Sequence, residues 1–174
     1  MSGTAVVLPG RRYGHAQAGL RLTELALEQA GLELVRVDWP ADGMPTEPEE
    51  TAQAVGAILL PLLEPAPSYV VGKSLGTLAA PLVADRGIAG IWLTPLLQEP
   101  LCREGILRNR ARQLLAGGSE DLAWDTAVAA RAASGGATVL ELPGADHGFE
   151  VPGDAVASAE TLVALTRAVQ EFVA

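Results

Sequence analysis

Apolar residues fall along this chain in six short runs: Ala5–Leu8, Leu32–Val37, Tyr69–Val71, Ile88–Leu93, Gln113–Ala116 and Ala137–Leu142. The runs are nearly continuous instead of alternating, which is what a parallel sheet covered on both faces demands, so each reads as a buried strand. Between them the apolar positions return at helical spacing. Ala16–Ala30 carries Leu20, Leu22, Leu25, Leu27 and Ala30, and Gly31 stands where a C′ glycine closes a helix. A loop rich in turn formers (Pro40, Gly43, Pro45, Pro48) follows the second run, and Thr46 with Glu49 predicts a capping box for a helix ending near Pro61. Leu75–Arg86 reads as a helix with a kink or a shortened start at Pro81. Asp154 is a good N-cap for a closing helix whose stripe is Leu162, Leu165, Val169 and Phe172.

Strands alternating with helices through short connections predict an α/β fold: an open, doubly wound three-layer αβα sandwich around a mostly parallel sheet of about six strands. With 174 residues and no repeat, linker or low-complexity tail, residues 1–174 read as a single domain. In such folds ligands bind beyond the carboxyl ends of the strands. The strand exits here begin at Pro9, Asp38, Gly72, Thr94, Gly117 and Pro143.

Composition narrows the functional classes. The chain is 49% hydrophobic but only 4% aromatic, so the core is built from Ala, Leu and Val. A net charge of −9 argues against a nucleic-acid groove, which needs a basic patch. Lys73 is the single lysine among twelve basic residues, a bias that by itself carries no chemistry. One cysteine, Cys102, excludes an intrachain disulfide, and His15 and His147 are too few and too far apart for a metal-ligand pattern. Met1–Thr4 lead straight into the first run without a basic and apolar leader, and no apolar run approaches the roughly 18 residues of a membrane span. A soluble, cytoplasmic protein without membrane or nucleic-acid partners is expected.

The third run ends in Gly72-Lys73-Ser74-Leu75-Gly76, which puts a serine at a sharp strand-to-helix turn. Glycines two before and two after the serine suit a turn whose strain a β-carbon would aggravate and whose helix packs closely on the strand. Two later exits supply complementary groups: acids in Gly117-Gly118-Ser119-Glu120-Asp121, and His147 in Pro143-Gly144-Ala145-Asp146-His147-Gly148. A serine hydroxyl is a poor nucleophile at its own pKa. It needs an imidazole to take its proton, and the imidazole needs a carboxylate to fix its tautomer.

Through these three turns the chain resembles the α/β-hydrolase family over almost its whole length. The resemblance implies Ser74 as nucleophile, His147 as base and Asp121 as the acid, with Asp125 and Glu120 as alternatives for the acid. It also implies an oxyanion hole from the backbone amides of Leu75 and of Arg11, the second place being contested by Arg12. The chain leaves no room for leading antiparallel strands or a cap domain, and the only candidate cover is Pro95–Arg110. The implied protein is a minimal, uncapped serine hydrolase that cleaves small acyl esters through an acyl-enzyme, without a cofactor. Whether it acts as a monomer or a homodimer stays open.

Other residues take plainer readings. Asp146 is a turn former, His15 a structural histidine near the first strand exit, and Cys102 an ordinary thiol. Arg11 and Arg12 are expected to be solvated partners of nearby carboxylates, though an anionic substrate group would also suit them. Trp39, Trp92 and Trp124 sit at or beyond strand exits and are expected in core or rim packing. Gly72-Lys73-Ser74 also matches the end of a phosphate-binding loop, but the required first glycine is Pro67. The remaining rival is a non-catalytic binding or scaffold protein on the same fold, since fold alone does not establish chemistry.

Overall fold

The computed structural model describes residues 3–174. Its centre is a six-stranded sheet of β1 (Thr4–Leu8), β2 (Glu33–Arg36), β3 (Tyr69–Lys73), β4 (Ala89–Leu93), β5 (Gln113–Gly118) and β6 (Thr138–Leu142). The spatial order is β2-β1-β3-β4-β5-β6, and every neighbouring pair is parallel. All six apolar runs therefore become strands. The four inner ones are buried almost throughout, whereas β2 and β6 are the sheet edges and stay partly exposed.

Helices α1 (Ala18–Gln29) and α6 (Ala155–Val173) cover one face of the sheet. The other face is covered by α2 (Pro48–Leu59), α3 (Ala80–Asp85), α4 (Pro100–Arg108) and α5 (Thr126–Ser134). Strand parity divides the core accordingly: Ala5 and Val7 of β1 pack toward α1 and α6, Val6 and Leu8 toward the other layer. Both layers bury mainly aliphatic side chains, as a chain poor in rings requires.

Three helix starts are informative. Asp154 caps α6 by accepting from the Ala157 amide at 2.9 Å, as its sequence position predicts. The capping box predicted at Thr46 does not form: α2 starts one residue beyond Glu47, which makes no side-chain cap bond. Pro48 opens that helix instead, at a position where no amide hydrogen is needed. The helix after Ser74 is split, with a 3-10 segment over Ser74–Ala79 and then α3, which carries Pro81 in its first turn. The proline shortens the regular helix in this way because its ring tolerates only a first-turn place.

Candidate active site

The sheet order reverses direction at β1, which lies between β2 and β3. A crevice therefore opens beyond the ends of β1 and β3, and Ser74 stands at its edge. Ser74 has φ of 51°, a left-handed conformation that turns its side chain out of the β3 direction. The two flanking glycines permit this by close approach. A Cβ on Gly72 would lie 2.7 Å from the Gly76 carbonyl oxygen, and one on Gly76 would lie 2.5 Å from that of Leu8. Backbone atoms on both sides cannot move aside, so the strand, the turn and the helix meet only if both residues lack a side chain.

Ser74, His147 and Asp121 come together in one hydrogen-bonded line. The His147 Nε2 lies 2.7 Å from Ser74 Oγ, and its Nδ1 lies 2.8 Å from Asp121 Oδ2. An ionised carboxylate only accepts, so the Nδ1 hydrogen donates to Asp121 and leaves Nε2 free to accept from the serine hydroxyl. The side chain of Asp121 is 2% exposed and that of His147 42%, so the acid is buried while the ring faces the crevice. Asp121 is further fixed because its Oδ1 accepts from the Ala123 amide at 2.8 Å. Such a line can pass a proton from hydroxyl to imidazole while the carboxylate steadies the resulting cation.

The alternatives for the acid fall elsewhere. Asp125 caps α5, accepting from the amides of Ala127 and Val128, each at 3.0 Å. Glu120 is exposed and makes no side-chain hydrogen bond to the histidine. Asp146 accepts from the amides of Gly148 and Glu150 and so shapes the histidine loop, as a turn former should.

The loop after β1 passes close to the serine, since a Cβ on Gly10 would be 3.5 Å from Ser74 Cβ. Leu75 is the second residue of the 3-10 segment, where amides have no partner within the helix. Two cavities contain Ser74: one of about 330 Å³, walled by Leu75, Leu78 and Leu96, and one of about 280 Å³ between Gly10–Tyr13 and His147. Arg11 lines both and Arg12 only the second. A third hollow of about 420 Å³ is lined by Leu96, Asp121, Leu122 and His147. A larger cavity, about 840 Å³, lies between the loop after His147 and α6 and contains neither Ser74 nor Asp121. Size therefore does not mark the site; the converging side chains do.

Two expectations need correction, those for Arg11 and for the cover Pro95–Arg110, whereas His15 and the tryptophans take the plain roles expected of them. Arg11 is not paired with a carboxylate: its guanidinium donates to the carbonyls of Met44 and Pro45 and ties down the β2–α2 loop. Most of the candidate cover Pro95–Arg110 is α4, which packs so tightly on α3 that a Cβ on Gly105 would meet the Pro81 nitrogen at 2.5 Å. Only the turn before it reaches the site, through Leu96 and Glu99. His15 bonds Glu24 and the Val37 carbonyl, a structural role. Trp92 is fully buried and donates to Gln113, Trp124 covers Gly117 and donates to Glu141, and Trp39 supports the Gly10 carbonyl at 3.2 Å.

The residue that sequence reasoning missed is Lys73. Its side chain is wholly buried, and its Nζ donates to Thr94 Oγ1 at 2.5 Å and to the His147 carbonyl at 2.8 Å. The rings of Tyr13 and Phe149 lie 4.5 and 5.5 Å from the ammonium. Burial pulls its pKa down from 10.5 to about 8, against the opposing pull of Asp121 and Asp146. With its ammonium turned inward, Lys73 has no reach to a phosphate, which disposes of the phosphate-loop reading. Strand parity was the available signal, since Tyr69, Val71 and Lys73 alternate onto one buried face. Thr94, which receives Lys73, has φ of 40°, and Phe149 has φ of 69°. Ser74, Thr94 and Phe149 are the non-glycine residues with positive φ among the described residues, and all three stand at this site.

Among the described residues no group of three or more His, Cys, Asp or Glu could hold a metal ion, and no helix is long and apolar enough to cross a membrane.

The fold is that of the α/β-hydrolases. A serine hydrolase homologue from Coxiella burnetii superposes with a TM-score of 0.76 at 16% identity, over 100% of this chain and 86% of its own. Est1E from Butyrivibrio proteoclasticus gives 0.76 at 14%, over 98% and 86%. A monoacylglycerol lipase of Paleococcus ferrophilus gives 0.66 at 18%, over 98% and 95%. At these identities the likeness is one of fold. No family model matches the chain, and no curated protein is significantly similar to it in sequence.

Proposed function

We propose that this protein is a serine hydrolase that cleaves small acyl esters. His147 removes the hydroxyl proton of Ser74 as the oxygen attacks the acyl carbonyl. The amides of Leu75 and Arg11 receive the oxyanion, and His147 returns the proton to the departing alcohol. Water then attacks the acyl-enzyme by the same base and releases the acid. The single observation that carries this reading is the line Ser74–His147–Asp121, with bonds of 2.7 and 2.8 Å at an elbow that only glycines permit. The two cavities that contain Ser74, about 330 and 280 Å³, favour a small substrate. The esterase and lipase among the structural neighbours favour an ester over other acyl compounds.

A fluorophosphonate probe tests the assignment. Wild-type protein is expected to label and to hydrolyse p-nitrophenyl acetate, and Ser74→Ala to do neither. Equal labelling of the two proteins would remove Ser74 from its role. A wild-type protein inert to both reagents would favour a binding function instead.

A further inference from the structure

We infer that Lys73 is a positioning residue of this site: its ammonium holds the backbone carbonyl of His147 and so sets the aim of the imidazole at Ser74. The inference rests on the hydrolase reading and adds a control to it. Lys73 is the one residue of β3 that reaches both the next strand exit and the histidine loop, through Thr94 Oγ1 at 2.5 Å and the His147 carbonyl at 2.8 Å. The loop is also held by Asp146 turning its own backbone, by Asp121 on the ring, by the Glu120 amide donating to the Ala145 carbonyl and by the Gly144 amide donating to Ser119 Oγ, but it is the Lys73 bond that takes the backbone carbonyl of His147 itself.

A buried ammonium opposes burial unless it does something a neutral side chain cannot. Replacement by an apolar residue of similar volume is often neutral or stabilising, so its presence here asks for a reason beyond packing. Charge-assisted hydrogen bonds are shorter and about twice as strong as neutral ones, which suits a bond that must fix a loop to within a fraction of an ångström. The groups that face the ammonium are Tyr13 from the loop after β1, Thr94 from the β4 exit, Asp121 from the β5 exit, and Asp146, His147 and Phe149 from the loop after β6. Tyr13 has its own pKa raised by burial and stays a neutral phenol through the relevant range. Loss of the proton from Lys73 weakens the bond to the His147 carbonyl, which then accepts from a neutral amine. Activity should therefore fall on the alkaline side where Lys73 titrates, near pH 8.

The test is the pH dependence of kcat/KM for p-nitrophenyl acetate, together with the rate of fluorophosphonate labelling, for wild type, Lys73→Met and Thr94→Val. Wild type is expected to lose activity above an apparent pKa near 8. Lys73→Met should remove that limb and lower kcat by about tenfold or more, with KM changed by less than about threefold. Thr94→Val keeps the shape and removes one acceptor of the ammonium, so it should move the limb to lower pH; this variant decides the matter if Lys73→Met does not fold. A limb that stays at the same pH in both variants, or a wild type with no limb there, would overturn the inference while labelling of Ser74 leaves the hydrolase reading intact. A wild-type protein that neither labels nor turns over ester overturns both.

Discussion

Exchanging Asp121 for asparagine and Asp125 for alanine should separate catalysis from stability. In Asp121→Asn the retained oxygen can still accept from the Ala123 amide, so the turn survives. The new amide nitrogen, however, stands 2.8 Å from His147 Nδ1 and is a donor. It accepts no proton from the ring, which must shift its hydrogen to Nε2, where it opposes the Ser74 hydroxyl 2.7 Å away. The wrong tautomer cannot act as base, and such a change lowers kcat by about ten-thousandfold, or about 5 kcal/mol at roughly 1.4 kcal/mol per decade. Asp125→Ala loses two amide partners at the start of α5. It should cost about 1 kcal/mol of stability and roughly 2–4 °C in Tm, with kcat unchanged within about twofold. Steady-state hydrolysis of p-nitrophenyl acetate and thermal melts of the same preparations read both quantities. The reasoning is refuted if Asp121→Asn keeps more than about a tenth of the wild-type kcat. It is also refuted if Asp125→Ala loses activity as severely as Asp121→Asn.

Further predictions follow from the same contacts. Gly76→Ala drives a Cβ to 2.5 Å from the Leu8 carbonyl oxygen and should destabilise by about 1–3 kcal/mol. Gly56→Ala, in α2 with nothing within 4 Å, should stabilise by about 0.5–1 kcal/mol; urea melts compare the two, and the reverse order would refute the packing account. Lys73 has a folded pKa near 8 against 10.5 in the free side chain, so the stability it forgoes is present above 10.5 and is lost as pH falls through 8. Stability should accordingly rise between pH 7 and 9, by an amount on the order of 1 kcal/mol, and Lys73→Met should flatten that rise in urea melts. Burial pushes the Cys102 thiol up to about 12, so it should react with a thiol reagent only on unfolding, and fast modification of the native protein would contradict its packing.

Much of this architecture was legible because burial has a direct signature in residue type. All six apolar runs are strands within about one residue at most boundaries, and the glycines of the elbow announce a turn with no room for side chains. The same holds for Asp154, whose position before a helical stripe defines its cap. The Thr46 cap failed because two prolines nearby, Pro45 and Pro48, offer another way to start a helix, and sequence spacing does not rank the two. β2 carries Glu33 and Arg36 and β6 carries Glu141, charges that suit a sheet edge, but the edge position itself follows from strand order, which no single run encodes.

By itself the sequence determined the alternation of strands and helices and the turns that carry Ser74, Asp121 and His147. Tertiary structure alone decided which carboxylate faces the histidine and which way each charged side chain turns. Asp121 and Asp125 are four residues apart in one loop, and only the return of the β6–α6 loop brings His147 to one of them while the other caps α5. Lys73 and Ser74 are neighbours, yet the first follows the strand pleat inward and the second, with φ of 51°, turns out into the crevice. Local patterns record how much of a residue is buried. Direction and partner depend on distant segments, and those meet only when the sheet is assembled.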